Sequence, residues 1–408
     1  MKYCLIGEKL GHSYSKIIHE SLGLNYSLRE LKACELEEFF NTCNYAGFNV
    51  TIPYKKAVIE RLNGVSPLAK DIGVVNTVVC KNGEFYGYNT DIGGMEYMIK
   101  RKGVSLNGKN VLILGSGGTS LTATYLCKKQ NAKNVKVVSR TGLINYENCY
   151  ELQETNVIIN TTPVGMSPNV FDKPIELKKF KNLIAVFDAC YNPKNTMLIQ
   201  EAKSLNITCD SGISMLVKQA LLARDIWLGL DSDDALTERI IKKLNADSLN
   251  IVLAGMPSCG KSTIGKKLAK TLNKNFIDVD SEIEKVTGKT PSQIITKNGE
   301  IYFRDIESEV IKNLALVKGS VISLGGGSVL RKENVLNLKL NGVICYIERD
   351  LNLLETKDRP LSQNSGIQTL YNNRKGVYNS VCDFKIVNDT TIENAVKEII
   401  IKYENSCN

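Results

Sequence analysis

The chain has 408 residues, 43% of them hydrophobic and 23% charged, with a formal net charge of +9. That length suggests two or three domains, and the composition excludes a disordered or fibrous chain. No apolar run approaches the ~20 residues of a membrane helix, and the opening MKYCLIGEKLGHS lacks the apolar region of a secretory signal, so a cytoplasmic protein with no membrane partner is expected. The twelve cysteines show no C-x-x-C pair and are expected to be reduced, buried thiols. Only two histidines, His12 and His19, are present, which leaves acid–base work to Lys, Asp or Glu. The lysines are not interleaved with aromatics, so small anionic substrates fit the positive charge better than nucleic acid, and no obligate protein partner is evident.

Residues 2–63 alternate short strand-like runs (KYCLIG, NYSLREL, GFNVTIP) with helix-like ones (SKIIHESLGL, ELEEFFNTC, KKAVIERLN), an α/β pattern. Val78–Cys80 and Glu84–Tyr88 flank Asn82-Gly83, a strong hairpin signal. Runs at 110–115, 134–140, 156–162, 183–188 and 207–210 are spaced for crossover connections and predict a parallel, doubly wound sheet. Residues 211–245 read as helical, and a domain boundary is expected within 231–248, which is polar at both ends. A new strand–turn–helix starts at 249–255, and α/β alternation runs on to an amphipathic helix at 391–404. The fold class expected is therefore α/β throughout.

The strand NVLILG leads into Gly115-Ser116-Gly117-Gly118-Thr119-Ser120 and then a helical stretch, the context in which backbone N–H groups meet a pyrophosphate. The next strand ends in Ser139-Arg140-Thr141. An acidic residue there would read the ribose hydroxyl of NAD, whereas a guanidinium and hydroxyls suit the 2′-phosphate of NADP(H). In the first lobe Ser13 and Ser15 precede a helix, Asn49 and Thr51 fall two apart on one expected strand face, Lys55 follows Pro53, and Asn76 and Asp91 bracket the hairpin. Together these supply the donors and acceptors a polyhydroxy acid requires, with Lys55 the natural proton shuttle and Asp91 orienting the substrate hydroxyl.

The motifs GHSYS, NVTIPYK, VVNTV, YNTD, INTTPVGM, DACYNP and SGISMLVKQA resemble the shikimate dehydrogenase family over about residues 1–245. The resemblance implies a substrate lobe (1–90, completed by helices at about 211–245) and a Rossmann-type NADP lobe (91–210). It further implies Ser13 and Ser15 on the substrate carboxylate, Asn49, Thr51, Asn76, Asp91 and Gln219 on ring hydroxyls, and Tyr191 lining the pocket. Lys55 and Asp91 are the catalytic pair by this resemblance, and Gly212 joins the cofactor contacts. Glu8-Lys9, Ser139 and Thr119-Ser120 depart from the usual pattern of the family.

After LNIVLA comes Gly255-Met256-Pro257-Ser258-Cys259-Gly260-Lys261-Ser262, followed by Thr263 and a helical stretch. This G-x-x-x-x-G-K-[ST] run predicts a phosphate loop, with Lys261 neutralising phosphate charge and Ser262 on Mg²⁺. Asp278 and Asp280 are expected on one face of a strand by its two-residue period. Arg304 and Glu307 fall at i, i+3 of a helix, Gly325-Gly326-Gly327 ends a strand, Asp358-Arg359-Pro360 opens a loop, and Arg374 lies four residues before Tyr378.

This order of motifs resembles shikimate kinase over about residues 249–405, a P-loop domain expected to span 249–408. The resemblance implies Asp280 on the substrate hydroxyl, Arg304 and Arg374 on its carboxylate, Gly326 at the ring, Asp278 reaching Mg²⁺, Arg359 meeting the transferred phosphate, and the loop with Ser258, Cys259 and Thr263 on ATP. The two resemblances imply one polypeptide that reduces 3-dehydroshikimate with NADPH and phosphorylates shikimate with MgATP. A dehydrogenase carrying a non-catalytic, nucleotide-sensing P-loop domain is the alternative.

Overall fold

The computed structural model describes residues 1–11, 13–354 and 366–407. The chain divides into two compact units, Met1–Ile241 and Lys242–Asn408, and the division falls inside one helix, Asp234–Ser248.

The first unit holds two sheets. In the first, β1 (Lys2–Gly7), β2 (Asn25–Glu30), β3 (Gly47–Val50), β4 (Gly64–Val65), β5 (Thr77–Lys81) and β6 (Glu84–Tyr88) lie in the order β2-β1-β3-β5-β6-β4. β1 pairs in parallel with β2 and β3, while β3–β5 and β5–β6 are antiparallel. The β5–β6 hairpin turns at Asn82 and Gly83, with φ of 54° and 82°, the left-handed pair that matches the twist of its strands. β3 is shorter than the sequence predicts: it ends at Val50, so Thr51 lies one residue past the strand and does not share a strand face with Asn49. The cause is local, because Pro53 offers no N–H to continue a ladder.

The second sheet is wholly parallel: β7 (Asn110–Leu114), β8 (Asn134–Val138), β9 (Val157–Asn160), β10 (Ala185–Asp188) and β11 (Thr208–Ser211), in the order β11-β10-β9-β7-β8. Its strands are nearly continuous Val, Ile, Leu and Phe, as burial on both faces requires. One face packs Val111, Ile113, Val157, Ile159 and Phe187, and the other Leu112, Leu114, Ile158 and Val186. The order reverses between β7 and β9, and ligands in such sheets bind outside the carboxyl ends of the strands at this point.

The helix Asp91–Arg101 packs along the helix Ile213–Leu228. A Cβ at Gly94 would sit 2.5 Å from the Met215 carbonyl oxygen, so only glycine allows this approach. The close packing brings Gln219 to the start of the first helix, beside Asp91.

The second unit is one parallel sheet, β12 (Asn250–Ala254), β13 (Asn275–Asp278), β14 (Ser320–Ser323), β15 (Gly342–Glu348) and β16 (Phe384–Val387), ordered β13-β14-β12-β15-β16. Its two cores lie on opposite faces, one around Val252, Ile322, Ile344 and Tyr346, the other around Ile251, Leu253, Val343 and Ile347. The strand order changes direction beside β12, whose carboxyl end opens into the Gly255–Ser262 loop. Asp278 and Asp280 are not on one strand face. Asp278 ends β13 and caps the helix Val279–Thr287, accepting the Asp280 N–H at 3.1 Å, and Asp280 stands in the first helical turn. Asp is a strong N-cap, and this capping bond overrides the two-residue strand period. Among the described residues, no helix is long and apolar enough to cross a membrane.

Candidate active sites

In the first unit the site grows from Asn76, which precedes β5 and is buried. Its side-chain oxygen accepts the Thr90 N–H at 2.7 Å, and its amide donates to Thr90 Oγ1 at 3.0 Å and to Asp91 Oδ1 at 2.9 Å, with Gln219 Oε1 at 3.4 Å. The other Asp91 oxygen accepts from Lys55 Nζ at 2.6 Å. Their side chains are only 15% and 9% exposed, so the pair is sheltered yet open on one side. Two fixed donors therefore aim this carboxylate, which is what positioned acid–base chemistry requires.

Asn49 is more confined than the sequence suggests. Its amide donates to the Asn76 carbonyl at 3.2 Å and to Thr77 Oγ1 at 3.0 Å, and its Oδ1 accepts the Tyr26 hydroxyl at 2.7 Å. With both amide hydrogens engaged, Asn49 has only acceptor capacity left for a ligand. Thr90 belongs to this network, as do Tyr26 and Thr77, which were not singled out by sequence; nothing marks those two until β2, β1, β3 and β5 are brought side by side.

Ser13, Ser15 and Tyr191 form a second group in the same unit. Ser15 N–H donates to Ser13 Oγ at 3.2 Å, and the rings of Tyr14 and Tyr191 lie 5.4 Å apart. Burial raises the pKa of the Tyr191 phenol, and a hydrogen bond with Ser13 partly offsets it. Gly212 donates its N–H to the Cys190 carbonyl at 2.9 Å, next to Tyr191 in sequence.

The residues around β7 fit a dinucleotide. Gly117 caps the helix Gly118–Lys129 without any side-chain hydrogen bond, and its first turn holds no acid, leaving a positive helix end for a phosphate. Ser116 and Gly117 are exposed, as are Arg140 and Thr141 after β8, with Ser139 half-buried. A Cβ at Gly118 would lie 3.7 Å from Lys55 Cδ, so the turn abuts the Lys55–Asp91 pair. The glycine-rich turn and the Lys55–Asp91 pair thus share one site.

In the second unit a cavity of about 350 Å³ is lined by the loop (Ser258, Gly260, Lys261, Ser262, Thr263), by Asp278 and Asp280, and by Gly325 and Gly326. Lys261 Nζ donates to the Gly255 and Met256 carbonyls at 3.0 and 2.9 Å, and Ser262 Oγ to Asp278 Oδ2 at 2.7 Å. The helix Lys261–Leu272 likewise has no side-chain cap and no acid in its first turn. Uncapped N–H groups, one ammonium and a hydroxyl–carboxylate pair are a donor set that fits a nucleoside triphosphate with Mg²⁺.

The acceptor side is built on Gly325–Gly327. A Cβ at Gly325 would be 3.3 Å from Asp280 Oδ1, one at Gly326 3.2 Å from Arg374 Nη1, and one at Gly327 2.2 Å from Arg304 Nη2. The triglycine segment therefore lets two guanidiniums and a carboxylate close around one spot. Arg304 donates to the fully buried Glu307 at 2.7 Å, and through Nε and Nη2 to Glu300 at 3.3 and 3.0 Å. Burial opposes its charge, but Glu307 and Glu300 outweigh that and raise its pKa. Among the described residues, three of the five guanidinium N–H groups are thus engaged, and one on each Nη remains. Glu307 also accepts Ser328 Oγ at 2.5 Å, and the Tyr378 hydroxyl donates to the Gly326 carbonyl.

Three residues missed by sequence reach this site. Ser323 Oγ lies 3.3 Å from Ser262 Oγ, Asn388 donates to the Cys259 carbonyl at 2.9 Å, and Arg349 Nη1 donates to the Ser258 carbonyl at 3.3 Å. Arg349 also lines the cavity, and its buried Nε has no hydrogen-bond partner among the described residues. It follows β15, the neighbour of β12, and strand order alone brings that position to the cavity. Arg359 lies outside the described residues.

Fold and sites define an oxidoreductase unit of the dinucleotide-binding class joined in one chain to a P-loop kinase unit. Comparison with known proteins gives both halves a family. The sequence model for the shikimate dehydrogenase substrate-binding domain matches residues 5–78, and that for shikimate kinase matches residues 257–404. The chain is 36% identical to shikimate dehydrogenase (NADP(+)) of Clostridium perfringens over 263 residues, 59% of this chain and 97% of the relative. It is 34% identical to the enzyme of that name from Methanococcus vannielii over 273 residues, 59% of this chain and 95% of the relative. Among solved structures, shikimate dehydrogenase 1 of Peptoclostridium difficile superposes with a TM-score of 0.57 at 32% identity, covering 60% of this chain and 98% of that one. A chorismate mutase/shikimate 5-dehydrogenase fusion protein of Clostridium acetobutylicum gives 0.57 at 33%, covering 59% and 96%. The chain belongs to the shikimate dehydrogenase family, and its second unit carries a shikimate kinase domain.

Proposed function

We propose that the chain is a bifunctional enzyme, reducing 3-dehydroshikimate to shikimate with NADPH in its first unit and phosphorylating the 3-hydroxyl of shikimate with MgATP in its second. The observation that carries this reading is that each unit holds a set of charged side chains beside its own glycine-rich turn: Lys55–Asp91 against Gly118, and Asp280 in one cavity with Lys261, with Arg304 and Arg374 against the triglycine segment that helps line it. A related structure from Thermus thermophilus, 28% identical with a TM-score of 0.53, was solved in complex with NADP(H) and shikimate, which supports the first half.

In the first unit Ser13 and Ser15 hold the substrate carboxylate, while Asn76, Gln219 and the acceptor side of Asn49 sort the ring oxygens. Bound NADPH supplies the hydride, and Arg140 with Ser139 and Thr141 holds its 2′-phosphate. Lys55 donates the proton to the carbonyl oxygen as it becomes a hydroxyl, and Asp91, aimed by Asn76, keeps Lys55 and that oxygen in line. In the second unit Arg304 and Arg374 grip the carboxylate, Asp280 orients the 3-hydroxyl and accepts its proton, and Ser262 with Asp278 holds the metal. MgATP supplies the phosphoryl group; Lys261 neutralises its charge, and Arg359 is assigned the same task from its motif. Phosphoryl transfer requires positioning and spread positive charge more than covalent help.

The test supplies 3-dehydroshikimate, NADPH and MgATP to the full chain and identifies the product by mass spectrometry. Shikimate 3-phosphate is the expected product. Accumulation of unphosphorylated shikimate would instead make the second unit a nucleotide sensor, and unconsumed NADPH would overturn the first half.

A further inference from the structure

The dehydrogenase unit contains a pair of thiols that neither proposed reaction uses. Cys43 lies in the segment leading into β3, and Cys80 lies on β5, where its N–H donates to the Ala46 carbonyl at 3.0 Å. Their Sγ atoms are 3.9 Å apart and share a hydrogen bond. The chain's cysteines are all free; seven are buried, whereas Cys43 and Cys80 are half-buried. We propose that Cys43 and Cys80 form a reversible thiol–disulfide pair, oxidised by low-molecular-weight disulfides, which latches the entrance of β3 to β5.

The two thiols are unequal. The hydrogen bond shared by the two thiols lowers the Cys43 pKa to about 7, against the opposing effect of burial and with help from the Tyr45 N–H. The same contact with Cys43, together with burial, raises the Cys80 pKa. Cys43 is thus the nucleophile and Cys80 the resolving thiol, since attack requires a thiolate. With glutathione disulfide as oxidant, the Cys43 thiolate attacks one sulfur, the glutathione S–S bond breaks, and one glutathione thiolate leaves. Loss of the Cys43 charge removes what held the Cys80 proton. Cys80 then transfers its proton to solvent and attacks the Cys43 sulfur, expelling the second glutathione. Two protein thiols are oxidised, one glutathione disulfide is reduced to two glutathiones, and the Cys43–Cys80 bond is gained. The sulfurs must close from 3.9 Å to about 2.05 Å, a movement available because Cys43 precedes the first ladder residue of β3, Gly47. The bond would span strands whose paired residues include Asn49 and Thr77, so the latch acts on the frame of the substrate lobe.

The experiment incubates the full-length protein with glutathione disulfide at neutral pH, blocks residual thiols and maps peptides by mass spectrometry. A Cys43–Cys80 cross-linked peptide, reversed by dithiothreitol, is expected in the unsubstituted chain. In Cys80→Ser, Cys43 should retain glutathione, having no resolving partner, and in Cys43→Ser, Cys80 should remain unmodified. Both variants should consume NADPH at the unsubstituted rate before oxidation. Glutathione persisting on Cys43 in the unsubstituted chain would overturn the proposal, as would two free thiols under conditions that modify the exposed Cys34.

Discussion

Lys55 and Asp91, 36 residues apart in the chain, meet at 2.6 Å, and Asn76 holds the opposite carboxylate oxygen at 2.9 Å. The pair exists because β5 sets Asn76 facing the first turn of the Asp91–Arg101 helix. Replacing Lys55 with Ala should lower kcat for dehydroshikimate reduction by about 10²–10⁴-fold and leave phosphorylation of added shikimate unchanged. Steady-state assays of both reactions on one preparation check this; loss of both would refute independent sites.

Lys261 is the mirror case. Lys261→Ala should depress phosphorylation by about 10²–10³-fold, the cost typical of removing one preorganised charge-stabilising donor, with NADPH oxidation intact. Coupled ADP release measures the first effect and cofactor absorbance the second.

Arg349 joins the nucleotide cavity only through the fold. Losing a hydrogen bond to a charged group costs about 1.5–3 kcal/mol, so Arg349→Ala should raise the KM for ATP about tenfold to a hundredfold. The KM for shikimate should not change. Equal rises in both would mean that the substitution disturbs the whole cavity.

Arg140 is exposed after β8, where a 2′-phosphate would lie. Arg140→Ala should raise the KM for NADPH by about tenfold or more and leave that for NADH unchanged, removing the preference without altering kcat. Parallel titrations with the two cofactors decide it.

His19 is fully buried against Tyr26, 4.3 Å between ring centroids, and Asn49 is the polar side chain that partly offsets the cost of burying it. Burial lowers its pKa from 6.5 to about 3. Protonation therefore favours the unfolded chain: stability is complete above the ordinary pKa of 6.5 and declines as pH falls from there toward 3. At about 1.4 kcal/mol per pH unit, His19→Phe should gain about 2 kcal/mol on the unsubstituted chain between pH 7.5 and pH 5. The single tryptophan, Trp227, lies 5.4 Å from His19, so its fluorescence in urea reports on this unit alone. An offset that does not change with pH would refute the assignment.

The sequence by itself determined the alternation of strands and helices, the hairpin at Asn82-Gly83, both glycine-rich turns and the motifs of two families. These signals are local: a turn requires particular φ angles, a buried strand requires apolar runs, and a phosphate loop requires its glycines and lysine within a few residues. What it misjudged was also local but competitive, as at Asp278, where a helix cap displaced the strand pattern. Tertiary structure alone decided which polar groups meet. Asn49 is committed to Tyr26 and Thr77 because β2, β1, β3 and β5 lie side by side, and Glu307 accepts Ser328 Oγ, 21 residues on, because the triglycine segment packs against the helix that carries Glu307. Arg349 reaches the P-loop because β15 runs next to β12. Such contacts join residues far apart in the chain, and no spacing within a linear sequence records them.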